Sequence, residues 1–157
     1  MKCAPMLQEI PQKASKFDID DVEMNDTRVV YLMDLCQKSK NCMESTCQSL
    51  EPNQDRWSSL CDALEMKFSE FTACTVKIQM TSPNMTKYNC LEGMDFYDTS
   101  LKVQIELLTT KKECVKEIYK GICGKEALES FDKYVRWTLE GLQFLSQFEN
   151  VGNSTQM

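Results

Sequence analysis

The chain has 157 residues, 42% of them hydrophobic and 27% charged, which fits one globular domain burying about two-thirds of the surface its unfolded form exposes. Its 18 Lys and Arg against 24 Asp and Glu leave a formal charge of -6, and the lysines are scattered along the chain, which argues against a phosphate-backbone binder and so against nucleic acid. Histidine is absent, which removes Ser-His-Asp and Cys-His nucleophile pairs, His-ligated zinc and the usual proton shuttle near neutral pH. No apolar run approaches the roughly 20 residues that cross a bilayer, so no membrane span is expected.

Residues 1–27 read as an N-terminal segment, with a short helix at "PMLQEI" and an acidic loop at "DIDDVEMND". Asp18, Asp20, Asp21 and Glu23 crowd carboxylates, yet no glycine stands where a calcium loop turns and no glutamate closes it, so the expectation is a solvated loop and no metal. Residues 28–149 read as a cysteine-rich helical domain. Asp26 and Thr27 cap its first helix, in which Val29, Leu32, Met33 and Cys36 recur at helical spacing. Asn53 caps the next, where Trp57, Leu60, Cys61, Leu64, Phe68, Phe71, Cys74 and Ile78 form one unbroken apolar stripe.

"MTSPNMTKYNC", residues 80 to 90, reads as a loop tethered by Cys90. Helical periodicity resumes from Asp98 to Ile122, with a break near "TTKK". The last helix, "KEALESFDKYVRWTLEGLQFLSQF", turns Leu128, Phe131, Val135, Leu139, Leu142 and Leu145 inward. Trp137 and Phe144 widen that stripe, toward a core or toward a partner or lipid tail. Residues 150–157 read as a flexible polar tail. The fold class is therefore all-α, a compact disulfide-stapled helical domain of about four to six helices.

Nine cysteines stand at 3, 36, 42, 47, 61, 74, 90, 114 and 123, without a Cys-x-x-Cys pair. Disulfides explain them better than redox or zinc chemistry. Cys36, Cys42, Cys47, Cys61, Cys74, Cys90, Cys114 and Cys123 can pair among themselves, in any of 105 ways. Cys3 is then the odd cysteine, with three fates open: a bond to a second chain, which would make a covalent dimer, a free thiol, or a partner upstream of Met1. Gly124, directly after Cys123, is placed to end a helix in a left-handed turn.

Three Asn-x-Ser/Thr sequons, at Asn25, Asn84 and Asn153, exceed the roughly one that composition yields by chance and point to an oxidising, glycosylating compartment. No apolar signal-peptide core is visible in "MKCAPMLQEIPQKASKF", which by itself reads as a cytosolic protein, but the cysteine arithmetic favours a mature or engineered form of a secreted, extracellular chain.

The words around the cysteines carry a resemblance. "LMDLCQKSKNCMESTC", "LCDALEMKFSEFTAC", "NCLEGMDFYD" and "KKECVKEIYKGICGKEALESFDKYV" occur in an order that resembles the nematode secreted-protein family DUF19, the T20D4.11-like domain, over residues 30 to 137. "MKCAPMLQEI" is similar to that family's second N-terminal cysteine segment. The resemblance implies an extracellular, cysteine-bridged helical domain from a roundworm, with no catalytic residues and no cofactor to carry over. The expected function is a non-enzymatic protein-binding or signalling module for a receptor, matrix or host protein. The alternative is a small carrier holding a hydrophobic ligand in an internal cavity.

Overall fold

Pro5 lies in the first turn of the first helix, α1 (Ala4–Ala14), where a missing N–H leaves no intrahelical bond unmade. The helix continues past Pro11 and outruns the expected "PMLQEI" segment, with Ile10 fully buried and Leu7 N–H bonded to Cys3 C=O at 3.2 Å. This is a computed structural model, and it describes residues 3–16, 18, 21–23, 25–46 and 55–153. Asp20, Cys47 and Asn53 fall outside the described residues, as do the side chains of Trp57 and Asn153.

The second helix, α2 (Thr27–Thr46), opens where the Asp26 carboxylate accepts the backbone N–H of Arg28 at 2.8 Å, meeting one of the donors a helix start leaves unpaired. α3 (Asp55–Lys67) follows. The expected continuous helix through residues 53 to 79 stops at Phe68. Ser69 caps a new helix, α4 (Glu70–Thr81), its Oγ accepting the Thr72 N–H at 3.2 Å. The expected break near "TTKK" separates α5 (Leu101–Leu108) from α6 (Lys112–Cys123). A 3-10 turn at Lys125–Leu128 then leads to α7 (Phe131–Asn153). The described residues thus hold seven α-helices, more than the four to six expected, because a new cap splits one long stripe and α1 is a full helix.

The chain divides into two compact units, Met1–Phe68 and Ser69–Met157. α7 also carries helix through the start of the expected tail, as far as Asn153.

In the first unit, Ile10, Leu32, Leu35, Cys36, Met43, Cys61 and Leu64 form the core, with Cys3 fully buried among them. Ser39 is buried too, and its Oγ donates to the Leu35 carbonyl at 2.8 Å, so it leaves no hydroxyl unsatisfied. At the edge, the Lys40 ammonium meets Asp62 at 3.0 Å and Glu65 at 3.3 Å, fastening α2 to α3. Burial pulls the Lys40 pKa down, but the two carboxylates outweigh it and hold the group above its ordinary range.

In the second unit an aromatic cluster fills the centre. Phe71 stacks on Tyr119 at 5.3 Å and meets the edge of Phe131 at 5.6 Å, and Tyr134 continues the chain of rings to Trp137. The Tyr119 hydroxyl pairs with Thr75 Oγ1 at 2.7 Å. Burial pushes the Tyr119 pKa up, partly countered by that bond. Gly124 ends α6 with φ +86° and its N–H bonded to the Lys120 carbonyl at 2.9 Å. Its ψ of 178° makes this a positive-φ extended exit, not the expected left-handed turn.

Candidate functional site

Among the described residues there are four disulfides, two in each unit. Cys3 bonds Cys42 and Cys36 bonds Cys61 in the first, while Cys74 bonds Cys123 and Cys90 bonds Cys114 in the second. The assignment of Cys3 as the odd cysteine is corrected: it sits at the N-cap of α1, with its Cα 5.9 Å from that of Cys42. The proposed interchain bond through Cys3 goes with it. Cys47, outside the described residues, is the ninth cysteine. Spacing alone could not have found this pairing, because it depends on α1 folding back along α2.

Two of the three sequon asparagines can be placed. Asn25 is exposed in the turn before α2. Asn84 is exposed in the loop after α4, its Oδ1 accepting the Thr86 N–H at 3.0 Å. The neighbouring Tyr97 hydroxyl donates to the Pro83 carbonyl and pins this loop.

The last turns of α7 present the most exposed run of large apolar side chains in the second unit. Phe144 is 58% exposed, Leu145 53% and Phe148 62%, and the two phenylalanines touch edge to face at 5.1 Å. With Gly141 they occupy positions i, i+3, i+4 and i+7, one helix face, and a Cβ on Gly141 would meet nothing within 4 Å. Leu145, expected inward, is turned out. Phe144 is exposed as well, and Phe148 belongs with it. The four-residue spacing of Phe144 and Phe148 was the available sequence signal.

A second feature lies in the first unit. The end of α1 and the start of α2 enclose an open cavity of about 330 Å³ lined by Lys13, Lys16, Thr27, Arg28 and Tyr31. The Lys13 ammonium stands 5.6 Å from the centre of the Tyr31 ring. The Tyr31 hydroxyl donates to Glu9 at 2.6 Å, and that bond raises the phenol above its ordinary range. Arg28 holds both Asp26 oxygens, at 3.0 and 2.8 Å, and these hydrogen bonds lower the Asp26 carboxyl to about 2. The closing of the α1–α2 hairpin brings Arg28 and Tyr31 to Lys13 and Lys16, a juxtaposition that no local sequence pattern shows.

No helix among the described residues is long and apolar enough to cross a membrane. Comparison with known proteins places residues 1–143 in the family described as "Domain of unknown function (DUF19)". No curated protein and no solved structure matches the chain. The match extends the resemblance seen over residues 30 to 137 to the N-terminal cysteine segment, and the chain belongs to the DUF19 family.

Proposed function

We propose that this chain is a secreted, extracellular, disulfide-bonded module of roundworm origin and T20D4.11-like type, which binds a protein partner without catalysing a reaction. The observation that carries the binding role is the exposed Phe144, Leu145 and Phe148 face of α7. Large apolar side chains gathered on one exposed face are the usual mark of a contact surface. From Trp137 to the end of the chain there is no Lys or Arg, while Glu140 and Glu149 flank the apolar positions. The complementary partner is a protein with an apolar groove rimmed by basic side chains. An anionic membrane surface would be repelled by the same charges.

The setting is supported by four disulfides, which persist in oxidising compartments, and by exposed sequon asparagines at Asn25 and Asn84. The carrier alternative asks for a closed apolar cavity. The cavity between α1 and α2 is open and rimmed by cations, which suits a charged ligand better.

The test is a binding screen against purified cell-surface and matrix ectodomains, using parent protein and the variant Phe144→Asp/Phe148→Asp. A partner whose affinity falls at least about tenfold in the variant, with thermal stability unchanged, supports the reading. Partners that bind parent and variant equally would remove α7 from the interface. Self-association of the parent, lost in the variant, would replace the heterologous partner with a second copy.

A further inference from the structure

We infer that the cavity between α1 and α2 is a binding site for a ring-bearing oxyanion ester, a sulfate or phosphate monoester carried on an aryl or sugar group. This is independent of the α7 face, and either can fail without the other.

The argument starts from charge. In a chain of formal charge -6, three cations line one cavity. The carboxylates that act on Arg28 and Tyr31 are engaged in defined bonds: Asp26 takes two Arg28 side-chain N–H groups, Glu9 accepts the Tyr31 hydroxyl, and Asp34 pairs with Lys38 at 2.7 Å. Arg28 and Asp26 therefore balance each other. Lys13 and Lys16 are the other two cations of the lining, and among the described residues neither forms an ion pair. Lys13 is half-buried, a position in which an ammonium is ordinarily matched by an anion. It stands over the face of Tyr31, an electrostatic contact weaker than an ion pair.

Shape gives the rest of the ligand. A volume of about 330 Å³ exceeds what a bare tetrahedral ion fills and lies at the small end of ordinary ligand sites. The Tyr31 ring, 47% exposed, offers a flat surface on which an aromatic or sugar ring can lie. An ester on that ring would place its oxygens between Lys13 and Lys16, with the Thr27 hydroxyl on the same wall. Charge-assisted hydrogen bonds from two ammonium groups suit the several acceptor oxygens of a sulfate or phosphate.

The test uses the intact oxidised chain at low ionic strength, titrated with phenyl sulfate, phenyl phosphate and inorganic sulfate and followed by amide chemical shifts. The expected result is saturable binding of at least one phenyl ester, with shifts centred on residues 13 to 16 and 27 to 31. The preferred ester then tells a sulfated source from a phosphorylated one. Lys13→Gln/Lys16→Gln should weaken it about tenfold. Lys13→Arg/Lys16→Arg should retain it, and the surface control Lys102→Gln/Lys120→Gln should leave it unchanged. Tyr31→Leu should abolish the advantage of the phenyl ester over inorganic sulfate. Linear, unsaturated shifts for both esters, or equal weakening by the surface control, would overturn the proposal.

Discussion

Cys3 and Cys42 are joined across 39 residues, tying the N-cap of α1 to the far end of α2. A peptide map of unreduced protein should therefore recover the Cys3 peptide linked to the Cys42 peptide. Replacing both by serine should lower stability by about 2–4 kcal/mol in urea unfolding, since the bond restrains the unfolded chain. A map that joins Cys3 to a second chain would contradict the structure.

Gly121 shows how closely the second unit is packed. A Cβ built there would stand 2.6 Å from the Tyr88 hydroxyl oxygen. In an open helix, Ala in place of Gly would gain about 1 kcal/mol. Here Gly121→Ala should cost about 1 kcal/mol, because a well-packed ring has to move. On a Tyr88→Phe background the same change should become stabilising. A double-mutant cycle read by chemical denaturation measures the coupling, and a cycle with none would mean that the two groups do not compete for space.

Phe131 is 1% exposed and touches both Phe71 and Tyr119. Phe131→Ala should destabilise the second unit by about 3–5 kcal/mol through lost burial and a residual cavity. Phe148→Ala, on the exposed face of α7, should change stability by less than about 0.5 kcal/mol. Thermal unfolding of the two variants side by side would show the contrast, and equal losses would mean that Phe148 is buried in solution.

Asp26 gives a pH signature. Its folded-state pKa is about 2, against an ordinary 3.8, because Arg28 donates side-chain and then backbone hydrogen bonds to it. A depressed carboxylate contributes stability above its unfolded pKa and loses that contribution as pH falls through the folded value. The window runs from about pH 4 down to about pH 2. Carbon-detected NMR titration should find the low midpoint, and Arg28→Gln should move it back toward 3.8. A midpoint already ordinary in the parent would mean that the pair does not persist in solution.

Much of the helical layout was readable because apolar spacing and caps agree. Thr27 opens α2, and Thr109 to Lys111 breaks the run between α5 and α6, as their residue types suggest. The α3–α4 boundary was hidden for the opposite reason. Leu60, Leu64, Phe68, Phe71 and Ile78 keep helical phase across it, so the hydroxyl cap of Ser69 was the single local signal of a break. Pairings such as Cys3 with Cys42, and the meeting of Lys13 and Lys16 with Arg28, come from the return of one helix along another. No local pattern encodes such long-range geometry. Leu145 was misplaced because periodicity marks an apolar face and does not say whether anything covers it.

The cysteine order also bears on how the protein is made. In the first unit the two covalent loops interleave, Cys3–Cys42 with Cys36–Cys61, and in the second Cys90–Cys114 lies within Cys74–Cys123. A nascent chain oxidised strictly in order of synthesis would join Cys3 to Cys36, Cys42 to Cys47 and Cys61 to Cys74, none of which is native. Correct bonding therefore waits until helices have brought distant thiols together, or relies on exchange that undoes early errors. Hosts rich in disulfide isomerase should give homogeneous material, whereas oxidation ahead of folding should trap shuffled isomers.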